Sequence, residues 1–129
     1  MKTRKITLAA LATSVLFVTA SPSLVSAAAT DAVKTMAKIM LNLNHYPSDS
    51  EKTQLKTIAT SGSDQEKVLA NAMINLQHKV ADGDKKALEQ LKGDEYSSPE
   101  VKDLAGILLS LSHQPSDADK KKLTAISGK

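Results

Sequence analysis

The chain has 129 residues, no cysteine, no tryptophan, one phenylalanine and two tyrosines, with 17 Lys+Arg against 14 Asp+Glu for a formal charge of +3. Without cysteine there is no disulfide framework, thiol redox chemistry, iron–sulfur cluster, covalently attached haem or cysteine-rich zinc site. Arg4 is the single arginine, and with so few aromatic rings the base stacking and bidentate phosphate recognition used in nucleic-acid binding are missing.

Lys2, Arg4 and Lys5 precede an apolar run from Ile6 to Ala20, and Val25-Ser26-Ala27 supplies small residues beyond it. This order predicts a secretory signal peptide over residues 1–27, cleaved after Ala27. The apolar run is shorter than the roughly 20 residues a membrane span needs, and it ends in Ser21-Pro22-Ser23, so no anchor is expected after cleavage. Three of the 17 cations lie in this leader, which leaves 14 against the 14 acids in residues 28–129. The basic excess therefore belongs to the export signal. The expected location is the periplasm, with release from the cell as the alternative, and residues 28–129 are expected to form one domain.

Within that domain one phrase recurs: Leu43-Asn44-His45-Tyr46-Pro47-Ser48-Asp49, Leu76-Gln77-His78-Lys79-Val80-Ala81-Asp82 and Leu111-Ser112-His113-Gln114-Pro115-Ser116-Asp117. Spacings of 33 and 35 residues indicate one supersecondary unit used three times, with repeats at about 30–61, 63–93 and 98–129. In each repeat an element A precedes the phrase. Its apolar stripe comprises Met36, Leu69 and Leu104; Ala37, Ala70 and Ala105; Met40, Met73 and Leu108; Leu41, Ile74 and Leu109; and Leu43, Leu76 and Leu111. These offsets trace one face of an α-helix, and the recurring alanine permits close approach of a neighbour. The histidine is placed at the last turn of this helix.

Pro47 and Pro115 stop element A, and Ser48 and Ser116 offer caps to a following element B. Glu51 and Asp119 stand three residues after those serines in the manner of a capping box. The second repeat has Val80-Ala81 instead, with Asp82 expected as the cap. Element B is a short helix with two anchors: Leu55 and Ile58, Leu88 and Leu91, Leu123 and Ile126. Thr60-Ser61-Gly62-Ser63 and Lys92 to Ser98 are the expected turns, the second leading into Pro99 at a helix start. Each A element is expected to pair with its own B. The fold class is all-α, six helices in three antiparallel hairpins, forming either a tetratricopeptide-like repeat layout or a closed helical bundle. The tryptophan, glycine and tyrosine positions of tetratricopeptide repeats are not met, so the similarity is one of layout.

His45, His78 and His113 are the sharpest candidates for chemistry. Three neutral imidazoles can bind zinc, copper or nickel with a further position open. In an open superhelix the first and third would be too far apart to share an ion, whereas closure about a pseudo-threefold axis would bring them together. The bland alternative is a repeated corner in which each ring interacts with a helix C-terminus. Met36, Met40 and Met73 align with leucines and read as core rather than copper ligands. Asp49, Glu51, Asp82, Asp84, Asp117 and Asp119 suit helix N-termini, and no EF-hand loop surrounds them for calcium. Ser112 adjoins His113, but no nucleophile elbow frames it, and no enzyme activity is expected. The expected function is an exported binding or assembly module for a peptide or protein partner, or for self-association. A metal-binding protein and a pH-responsive chaperone are the alternatives.

Overall fold

A computed structural model describes residues 29–128, so the expected signal peptide lies outside the described residues. The described chain is all-helical: α1 (Asp31–Leu41), α2 (Asp49–Ser61), α3 (Asp64–Ile74), α4 (Asp82–Gly93), α5 (Pro99–Ser110) and α6 (Asp117–Ser127). Five of the six start at a hydroxyl residue, Thr30, Ser48, Ser63, Ser98 or Ser116, whose side-chain oxygen accepts from the amide three residues on. Ser48 with Glu51 and Ser63 with Glu66 form complete capping boxes. Asp119 is too short for the reciprocal bond and accepts from the Ser116 hydroxyl at 2.7 Å instead. The fourth helix departs from expectation. Its cap position is Ala81, which makes no side-chain bond, while Asp82 is already the first helical residue and pairs with Lys85 at 2.6 Å.

Helices α1, α3 and α5 touch one another and bury most of the expected stripe, while its row Leu41, Ile74 and Leu109 is only half-buried. Met36, Leu69 and Leu104 are wholly enclosed, as are Ala37, Ala70 and Ala105, and Met40, Met73 and Leu108 lie beside them. Ile39, Ala72 and Ile107 add a further buried row. The methionines are thus core, filling positions that leucine fills elsewhere. Outside this inner trio, α2, α4 and α6 contribute Leu55 and Ile58, Leu88 and Leu91, and Leu123 and Ile126. They match the inner helices in length, 13, 12 and 11 residues against 11, 11 and 12, so element B is not the short partner expected.

The closest pairings are α2 with α3, α4 with α5, and α6 with α1. Each B helix therefore packs chiefly on the A helix of the next repeat, and the last B closes the ring by packing on the first A. The reason is the length and shape of the connections. Only Gly62 and Ser63 separate α2 from α3, so these two must fold back on each other, whereas several residues separate α1 from α2 and turn the chain away. Gly62 is needed at that turn, because a Cβ there would sit 2.7 Å from the Ile58 carbonyl oxygen and 2.9 Å from Glu66 Oε2. No helix among the described residues is long and apolar enough to cross a membrane.

Candidate metal centre

Closure about a pseudo-threefold axis decides the fate of the histidines. The inner helices end at Leu41, Ile74 and Ser110, three or four residues before His45, His78 and His113. The expected placement in a last helical turn is therefore corrected. Leu43, Leu76 and Leu111 follow each helix end as buried anchors, their amides bonded to the carbonyls of Met40, Met73 and Leu108 at 3.3 Å. Pro47, Val80 and Pro115 are buried on the other side of each corner, which explains how valine substitutes for proline there. Pinned at both ends, each corner reverses over one residue.

That residue is the histidine. His45, His78 and His113 have φ of 74°, 61° and 68°, and they are the only positive-φ residues among the described ones apart from Gly128. The Lys79 amide bonds the Gln77 carbonyl at 2.6 Å and the Gln114 amide bonds the Ser112 carbonyl at 2.8 Å, so the second and third corners are γ-turns of the rare, strained hand. A left-handed backbone at a residue with a Cβ costs of the order of 1–3 kcal/mol and persists only where the surroundings over-determine it.

The surroundings here are the other two histidines. The His45 amide donates to the His113 carbonyl at 3.1 Å, the His78 amide to the His45 carbonyl at 3.2 Å, and the His113 amide to the His78 carbonyl at 2.8 Å. The three corners are thus joined head to tail in a closed ring of backbone hydrogen bonds. Ring centroids lie 5.1, 5.3 and 5.1 Å apart, and one nitrogen from each imidazole falls within 4.8 Å of the others. His45 is half-buried and the other two are exposed, so the cluster faces solvent at one end of the axis.

Neighbouring polar groups orient two of the rings. His45 Nδ1 is 2.8 Å from Asn44 Oδ1, an oxygen that only accepts, so Nδ1 donates in this contact and Nε2 faces away from it. Ser112 Oγ lies 3.3 Å from His113 Nδ1, and the Gln114 side-chain Nε2 donates to Asn44 Oδ1 at 3.4 Å. The repeat spacing assigns no role to Asn44, and Ser112 stands out only as a serine beside a histidine, although a polar residue precedes the histidine in all three repeats. No imidazole bonds a carbonyl of the helix before it, so the helix-capping role is absent from the described hydrogen bonds.

Three nitrogens around a tetrahedral ion at about 2.0–2.1 Å are about 3.3 Å from one another. The rings must therefore draw in by about 1.5 Å at most to share an ion. A movement of that size requires only rotation of the three rings about their side-chain bonds, with His78 and His113 exposed and His45 half-buried. No carboxylate belongs to the cluster, so the donor set is three borderline nitrogens and suits zinc, copper or nickel over calcium or magnesium. Comparison with protein-family models, with curated proteins and with solved structures found no match to this chain.

Proposed function

We propose that this protein binds a divalent transition-metal ion, zinc or copper, through His45, His78 and His113. The observation that carries the reading is the coincidence of strain and convergence. At a positive-φ corner glycine bears no Cβ penalty, and asparagine, aspartate and histidine are the other residues enriched there, yet of these the chain uses histidine at all three. The backbone alone does not account for that choice, and the side chains of the three meet at one point. The expected peptide- or partner-binding role leaned on the concave groove of an open repeat array, and with α6 packed on α1 the array closes on itself. An acid-responsive role retains the clustered imidazoles as its only support.

The test is calorimetric titration with zinc and with copper, coupled to thermal unfolding. Stoichiometric binding and a midpoint that rises with metal concentration are expected, since an ion binding only the folded state stabilises by about 2.7 kcal/mol at a hundredfold excess over Kd. Exchange of one histidine for asparagine, which tolerates the same backbone, is expected to abolish the shift while leaving the helical circular dichroism intact. Binding that survives in His78→Asn rules the triad out as the site.

A further inference from the structure

Helix α6 is held differently from α2 and α4. Those two lead straight into the helix they pack on, α2 through Gly62 and Ser63 into α3, and α4 through residues 94–98 into α5, so the chain itself keeps each pair together. Helix α6 packs chiefly on α1, at the opposite end of the described chain, and only lightly on α5, its own neighbour in sequence. Its tether is residues 111–116, between Ser110 and Asp117. The seam is also loosely filled. A groove of about 470 Å³ lies where α6 meets α1 and α5, lined by Lys34, Glu100, Asp103, Lys122 and Ile126, and Glu100 Oε2 is enclosed without a hydrogen-bond partner among the described residues. Gaps and unpaired buried groups mark the places where a fold opens most easily.

The tether is strained as well. His113 turns it at φ 68° in a γ-turn of the rare hand, while Pro115 pushes Gln114 toward extended backbone. Extension through His113 releases the positive φ. It breaks the bonds from the His113 amide to the His78 carbonyl and from the His45 amide to the His113 carbonyl, and because His113 is exposed, water replaces them. A short connection under strain, leading to a helix whose seat lies on a distant part of the chain, suits exchange of that helix between copies.

We infer that this protein dimerises with a second copy of itself by exchanging α6, so that α6 of each chain, with its buried anchors Leu123 and Ile126, takes the seat on α1 of the other. Both forms bury the same helix faces. Hinge strain therefore favours the dimer, the loss of independent motion favours the monomer, and protein concentration sets the balance. Exchange also carries Lys122, whose ammonium lies 3.1 Å from Asp103 Oδ1 on α5, across to Asp103 of the partner subunit.

That ion pair supplies the test. Lys122→Asp and Asp103→Lys each set like charges together in the closed monomer, whereas a mixed dimer with α6 exchanged holds one lysine and one aspartate in both seats. Both side chains reach solvent, so the fold tolerates either change. The wild type, each variant and their equimolar mixture are warmed to just below the unfolding midpoint at millimolar concentration, cooled, and sized by chromatography with light scattering. A chelator is present throughout, so that no ion ties His113 to the other two rings. A concentration-dependent wild-type dimer, with at least about threefold more dimer in the mixture than in either variant alone, supports the inference, two regained surface ion pairs giving a change of that size. Monomer at every concentration overturns it. A dimer whose yield does not rise on mixing also overturns it, and points to contact through another surface or to exchange of α1, both of which leave Lys122 and Asp103 on one chain. In His113→Gly, where glycine relieves the closed corner, the dimer yield is expected to fall about fivefold or more, and an undiminished yield overturns residues 111–116 as the hinge.

Discussion

At the scale of single residues, backbone conformation separates positions with the same role. His45, His78 and His113 adopt a conformation natural to glycine, and Gly62 occupies one that any residue adopts, with φ −72° and ψ 175°. Gly62 is required for space instead. Gly62→Ala gains about 0.4–1 kcal/mol by restricting the unfolded chain, but its Cβ would press on a backbone oxygen that cannot move aside, at a cost of about 1–3 kcal/mol. The clash is larger, so the variant is expected to be less stable, by about 1–2 kcal/mol in urea unfolding. Motif spacing made the three histidines legible as a set. It held no trace of the Gly62 constraint, because the atoms that crowd it come from the preceding turn and from Glu66.

At the scale of elements, helix starts follow hydroxyl caps closely enough that the single exception is informative. Ala81 replaces the serine of the other two repeats, and α4 begins without a side-chain cap. Its acids are engaged elsewhere: Asp82 with Lys85, and Asp84 accepting from the Asn75 side-chain Nδ2 at 3.1 Å. The hydrogen bond and charge of Lys85 hold the Asp82 carboxyl below its ordinary pKa. Since Ala81 already has the extended backbone of a cap, Ala81→Ser is expected to stabilise the protein by about 0.5–2 kcal/mol, measured as a raised urea midpoint at unchanged slope. Helix positions, caps and buried stripes were readable in the sequence because each depends on residues within a turn or two. Helix partners were not, because the pairing of α2 with α3 rather than α1 turns on how few residues link them and where the corner sends the chain.

At the scale of the whole molecule, the pseudo-threefold axis has two unlike ends. One carries the histidines beyond three helix C-termini. At the other, the caps Thr30, Ser63 and Ser98 line one cavity with Val33, Glu66 and Val101. Glu66 is the one acid in a position where the other repeats have valine, and it is buried. Burial there opposes its charge, but hydrogen bonds from the Thr30 hydroxyl, the Ser63 amide and the Ser63 side chain outweigh burial and hold its pKa below the ordinary value. The Thr30 bond, at 2.5 Å, ties α1 to α3. A carboxyl whose pKa is lowered by folding stabilises above its unfolded-state pKa of about 4.3, and that contribution is lost as pH falls through the folded value. Glu66→Gln is therefore expected to be about 1 kcal/mol less stable at pH 7, with the deficit shrinking at pH 3 in parallel urea titrations. A constant deficit across that range would assign Glu66 a packing role only.

The sequence by itself determined what local physics governs: six helices, most of their apolar faces, the caps Ser48 and Ser116, the recurrence of one corner and the exclusion of cysteine-based chemistry. It placed the candidate ligands by recurrence alone. Whether those ligands meet was decided by tertiary structure. The repeat pattern is compatible with an open superhelix or a closed ring, and the difference lies in the packing of α6 on α1, residues at opposite ends of the described chain. Closure brings the three corners close enough for their amides and carbonyls to bond in a cycle, and that cycle holds each histidine in its left-handed turn with its ring against the other two.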